Sequence, residues 1–240
     1  MGLQAVSDVK PERVSPAFIK VAGVCAILTA LTTIAVHWLP DLWSNALTFE
    51  SRVQLRHNAI YMSRFWIVLI HCVLVVISMA AIPCVLSGTA RLIATFGFGC
   101  YVVFAFVEIL RTSLSIFAVN RAWRGAYETS GNDMQKQVFR AALDTFGGVN
   151  DALFFLFFTA FTAGLFCYGF ALLLDTGIDS RIGLLFLLWA VLNLPGLVGV
   201  IVGNDALGIA FDWVGRYFQP VARFLIGVWL WNVSSRFRTT

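Results

Sequence analysis

The chain has 240 residues, 59% of them hydrophobic and only 12% charged, with 17 Lys and Arg against 13 Asp and Glu for a net charge of +4. Soluble proteins carry about 25% charged residues, so this chain has too little polar surface to cover a soluble globule. Its apolar residues run in long blocks, as a bilayer solvent requires. No dense Lys/Arg run interleaved with aromatics is present to track a phosphate backbone, which argues against nucleic acid as a partner.

The first 16 residues are polar, with Asp8, Lys10, Glu12 and Arg13. The apolar segment after them is too long for a secretory-signal core and lacks a small-residue cleavage site; it reads as a first span that is retained. Crossing about 30 Å of hydrocarbon takes roughly 20 helical residues. Six segments have that length: residues 21–39, 65–86, 92–119, 152–174, 182–202 and 217–233. The expectation is an all-α polytopic transmembrane bundle, one domain over residues 1–240.

The first span closes on His37, Trp38, Pro40 and Trp43, and the weakly amphipathic stretch 43–55 is expected to lie on the membrane surface. Only Ser87 to Arg91 separates spans two and three, which predicts a tight antiparallel hairpin. Residues 120–148 form a polar loop, expected as two short helical pieces about a turn at Ser130 to Asp133. Asn150 and Asp151 read as caps of the fourth span. Asn193, Pro195 and Gly196 are expected to interrupt the fifth, freeing a backbone carbonyl. Asp212 and Arg216 stand at i,i+4, where they can pair. A surface segment is expected between Asp205 and Phe218, and Pro220 introduces or kinks the last span. Ala160 to Gly164 and Gly199 to Gly203 are small-xxx-small patterns of the kind that mark helix contacts.

An even number of spans places both termini on one side. The basic residues divide almost equally between the two sides, and Lys10, Arg13 and Lys20 before the first span favour a cytoplasmic N terminus in a bacterial inner membrane.

Cys25, Cys72, Cys84, Cys100 and Cys167 all fall in apolar stretches and read as small buried hydrophobes, not as a disulfide framework or zinc site. Gly-x-Ser-x-Gly, His-Glu-x-x-His and Walker motifs are missing, which argues against hydrolase and ATPase chemistry.

A few polar residues stand inside the spans. Glu108 is the sharpest case, because a carboxylate at mid-bilayer costs at least about 2.5 kcal/mol and so needs an interior partner. Arg111 is one turn away, at i+3. Two readings stand open: a site for a cation, proton or polar ligand group, or a structural ion cluster of Glu108 and Arg111 with Arg223 of the last span. His71, beside Cys72, is a relay or ligand candidate, or simply a donor of an interhelical hydrogen bond. Bis-histidine dihaem ligation is excluded by counting, since His37 and His57 are the only other histidines. Lysines are missing from the span interiors, which argues against a retinal pigment. Phe154, Phe158 and Phe161 form a stripe at i, i+4 and i+7 that either lines a lipophile pocket or faces lipid, the commoner arrangement.

Val21-Ala22-Gly23, Phe106-Val107-Glu108, Gly169 to Leu174 before Asp179 to Gly183, and Val228 to Trp231 together resemble a family of bacterial six-helix membrane proteins of unknown function. The resemblance implies the six-helix architecture and brings no activity with it. On the residues, the expected protein is non-enzymatic, either an accessory or scaffolding subunit of a membrane complex or a binder of a lipophilic ligand such as a lipid, pigment or quinone. Membrane lipids and other membrane-protein subunits would be its partners, and no cofactor is assigned. The alternative is a small secondary transporter using Glu108, Arg111 and Asn193. A third reading, a membrane enzyme with Glu108 and His71 as acid and base, requires those side chains to meet in one cavity.

Overall fold

In hydrocarbon every backbone N–H and C=O must be satisfied within the chain, and helices do this segment by segment. The computed structural model describes residues 15–43, 46, 48–175, 180–202 and 212–236, and their regular elements are all helical. Helix α1 (Pro16–Trp38) starts with proline at its first turn, where the missing N–H has no role. The short α2 (Phe49–Gln54) carries a capping box between Thr48 and Ser51. Asn58 caps α3 (Ala59–Val85), accepting from the amides of Ile60 and Tyr61. A two-residue link and Gly88, whose φ of 51° suits glycine, turn the chain into α4 (Gly88–Leu114). The π-helical turns Ser115–Trp123 join α4 to α5 (Arg124–Thr129). Then follow α6 (Asp133–Leu174), α7 (Ser180–Val202) and, after the π-helical Val214–Phe218, α8 (Gln219–Arg236).

Five of these helical stretches are long and apolar enough to cross a membrane: Pro16–Leu42, Ala59–Val85, Gly88–Thr129, Asp133–Leu174 and Ser180–Val202. α8, with 18 residues that include Arg223, does not meet that measure. The exterior is apolar, with Leu92, Phe96 and Phe106 exposed by 72%, 69% and 66%. A surface of that kind suits lipid rather than water.

Successive long helices are antiparallel neighbours, and α8 returns to lie along α1. The α1–α8 contact runs from Lys20, whose Nζ stands 4.1 Å from the centre of the Trp231 ring, to the bidentate pair of Arg216 with Asp41 at 2.8 and 3.0 Å. Between them the backbones nearly touch. A Cβ on Gly23 would lie 2.9 Å from the Gly227 carbonyl oxygen, and one on Gly227 2.8 Å from that of Gly23. Gly97 and Gly164 allow a similar approach of α4 and α6, so the predicted Ala160 to Gly164 pattern does mark a helix contact. Gly203 of the other pattern lies outside the described residues, as does the first half, residues 205–211, of the segment expected at the surface.

Three expectations are corrected. In the polar stretch 120–148 the expected turn at Ser130 to Asp133 is present between helical segments, but these are not short pieces of a loop: helix runs on from α4 through the π-helical turns and α5 to Thr129, and α6 starts at Asp133. Asn150 and Asp151 therefore lie inside α6, and Asn132 is its cap, accepting from the Met134 amide at 2.9 Å. α7 stays helical through Pro195 to Val202, so no break opens there.

Candidate functional site

Three helices turn one face each toward a common cavity of about 280 Å³. α3 contributes Arg64, Val68 and His71, α4 contributes Phe104, Glu108 and Arg111, and α6 contributes Phe154, Phe158 and Phe161. Each trio is spaced i, i+4, i+7, which places its members on one helical stripe. α1 adds Thr33 and His37, and Asp212 and Gln219 come from the far end of the chain. The phenylalanine stripe thus points inward, with Phe158 and Phe161 0% and 4% exposed, and the commoner lipid-facing arrangement is not adopted.

Glu108 and Arg111 form a bidentate pair, Nε donating to Oε2 at 2.7 Å and Nη2 to Oε1 at 2.6 Å. The remaining Arg111 nitrogen, Nη1, donates to Asn150 Oδ1 on α6 at 3.1 Å, and the guanidinium stands 5.4 Å from the Phe157 ring centre. This charge pair is satisfied within the protein. His71 Nδ1 shares a 2.7 Å hydrogen bond with the Thr32 hydroxyl, and its ring faces the cavity. Glu108 and His71 line one space without bonding to each other among the described residues.

Arg223 does not join the pair. It is fully buried, with its guanidinium 5.3 Å from the Trp189 ring centre. When the Gln219 amide is oriented with its oxygen toward Arg223, it accepts from Nη2 and Nε at 3.1 and 3.2 Å. Arg223 Nη1 has no hydrogen-bond partner among the described residues. Asn193, 1% exposed in α7, lines neither this cavity nor the next. The expected cluster thus divides, leaving Glu108, Arg111 and His71 at the cavity, Arg223 behind Gln219, and Asn193 apart.

A second cavity, of about 330 Å³, adjoins the first and shares Arg64 and Arg111 with it. It lies beneath α2 and is lined by Arg52, Tyr61, Asn120, Arg124 and Asp144, among others. Arg124 Nη1 donates to Asn120 Oδ1 at 2.7 Å and to the Tyr61 hydroxyl at 3.1 Å. At the rim of the first cavity, Asp212 accepts from Arg216 Nε at 2.7 Å and lies 3.7 Å from His37. Asp41, by its hydrogen bonds, and then Asp212 hold the Arg216 guanidinium above its ordinary pKa. Arg64, Asp212 and Gln219 were not foreseen as site residues. The available signal for Arg64 was its spacing of seven from His71, which puts both on one face of α3.

Fold and site together define the class: an all-α protein of several bilayer-length apolar helices around an internal cavity with an aromatic floor and a charged rim. No protein-family model matches the chain, and neither a curated protein nor a solved structure matches it.

Proposed function

We propose that the protein is a six-span integral protein of a bacterial inner membrane that binds a lipophilic ligand inside its bundle. The observation that carries this reading is the 280 Å³ cavity, whose phenylalanine floor and charged rim suit an amphiphile, a volume near the lower end for ligand sites. The sixth crossing is supported by the end-to-end antiparallel contact of α8 with α1, and the cytoplasmic N terminus by the basic residues ahead of α1.

The test is purification in mild detergent followed by mass spectrometry of extracted lipophiles. A bound lipophile near one per chain, lowered by the cavity-filling change Val68→Phe, is expected. A protein that carries none, and takes up none when offered, overturns the reading.

A second reading, a small secondary transporter, is favoured by the presence of Glu108 and His71 on the cavity wall. Uptake into proteoliposomes that Glu108→Gln abolishes would select it. An accessory role in a larger assembly would appear as a stoichiometric membrane subunit retained through purification.

A further inference from the structure

Arg64 is the one residue besides Arg111 that lines both cavities, and the two arginines differ in how they are compensated. Arg111 is held by Glu108 and Asn150 on all three nitrogens. Arg64 forms no ion pair among the described residues, and its Nε is closed off without a hydrogen-bond partner. It feels the repulsion of Arg111, and the attractive carboxylate it also feels, Glu108, is already engaged on both oxygens. The outer cavity carries Arg52, Arg64, Arg111 and Arg124 against the single carboxylate Asp144, so an excess of positive charge remains after Glu108 cancels Arg111. Burying a cation without a counter-ion is costly, and an anion bound there would offset that cost. On the other side of Arg64 lies the aromatic cavity, with room for an apolar chain.

We infer that the ligand is a single-chain amphiphile with a compact anionic headgroup, a carboxylate or phosphate, held by Arg64 with its chain along Phe158 and Phe161. This rests on the ligand-binding reading above and adds the chemical class. Both volumes are near the lower limit of ligand sites, which favours one chain over the two of a bilayer phospholipid.

Calorimetric titration of the full-length protein in neutral detergent tests it with four probes: dodecanoate, dodecyl phosphate, dodecanol and phosphatidylglycerol. The two single-chain anions are expected to bind about tenfold tighter than dodecanol, and Arg64→Gln to remove that preference while leaving dodecanol unchanged. Arg64→Lys should keep part of the preference, Arg91→Gln at the opposite end of the bundle all of it, and thermal midpoints show whether each variant is folded. Equal binding of the anions and dodecanol to the unaltered protein overturns the inference without any variant, as does an undiminished preference in folded Arg64→Gln. Binding of phosphatidylglycerol but not of the single-chain anions also overturns it, in favour of a structural bilayer lipid. If none of the four binds, dodecanol included, the ligand-binding reading itself fails.

Discussion

Both oxygens of Glu108 are taken by Arg111, so the pair crosses the apolar layer as one nearly neutral unit. Glu108→Gln would leave the arginine largely buried without a counter-charge, at a cost of about 3–5 kcal/mol. It should lower the thermal midpoint in detergent more than Glu108→Gln combined with Arg111→Gln does, and additive midpoints in a double-mutant cycle would refute the coupling. Arg223 poses the opposite case. It is fully buried, with an aromatic ring and an amide for partners and no carboxylate in ion-pair range among the described residues. Replacing buried charge with an apolar side chain of similar volume is often neutral or stabilising by about 1–4 kcal/mol. Arg223→Met is therefore expected to keep or raise the thermal midpoint, and a clear fall would show that the stacking on Trp189 outweighs the desolvation. The sequence marked Glu108, Arg111 and His71 because polar groups in apolar runs stand out. It did not distinguish the satisfied arginine from the unsatisfied one, because pairing across helices leaves no local trace.

Among the helices, five of the six expected apolar spans were legible because bilayer thickness fixes a minimum length, and the tight α3–α4 turn was legible from its short polar interval. The extent of α6 was not. Its 42 residues rise about 63 Å, roughly twice the hydrocarbon thickness, and the polar half reads locally like a loop because nothing in its composition is needed to cross lipid. The inward face of the phenylalanine stripe was likewise hidden, since lipid and protein interior are equally apolar. Glycine contacts give the clearest test at this scale. Gly227→Ala would push a methyl to 2.6 Å from the Ile27 side chain and 2.8 Å from the Gly23 carbonyl oxygen. It should destabilise by about 1–3 kcal/mol, as overpacking does. Gly99→Ala, with nothing within 4 Å of the added carbon, should be neutral or gain up to about 1 kcal/mol from helix propensity. Equal thermal shifts for the two would contradict the close α1–α8 approach.

For the whole molecule, the proposed sixth crossing places Lys20 and Arg236 on one side of the membrane, whereas five crossings would separate them. Lys20→Cys and Arg236→Cys, in a chain with its own five cysteines replaced by alanine, should react with an impermeant maleimide from the same side. Labelling from opposite sides would remove α8 from the count of spans.

The seam between α1 and α8 also sets an order of events during synthesis. Helix α1 finds its glycine-matched neighbour only after nearly two hundred further residues have been made. Until then Gly23 and Ile27 face lipid or a temporary companion. The cavity takes His37 from the beginning of the chain and Gln219 from near its end, so a nascent chain lacks a complete pocket. Occupancy of that pocket would therefore report that the ring of helices has closed.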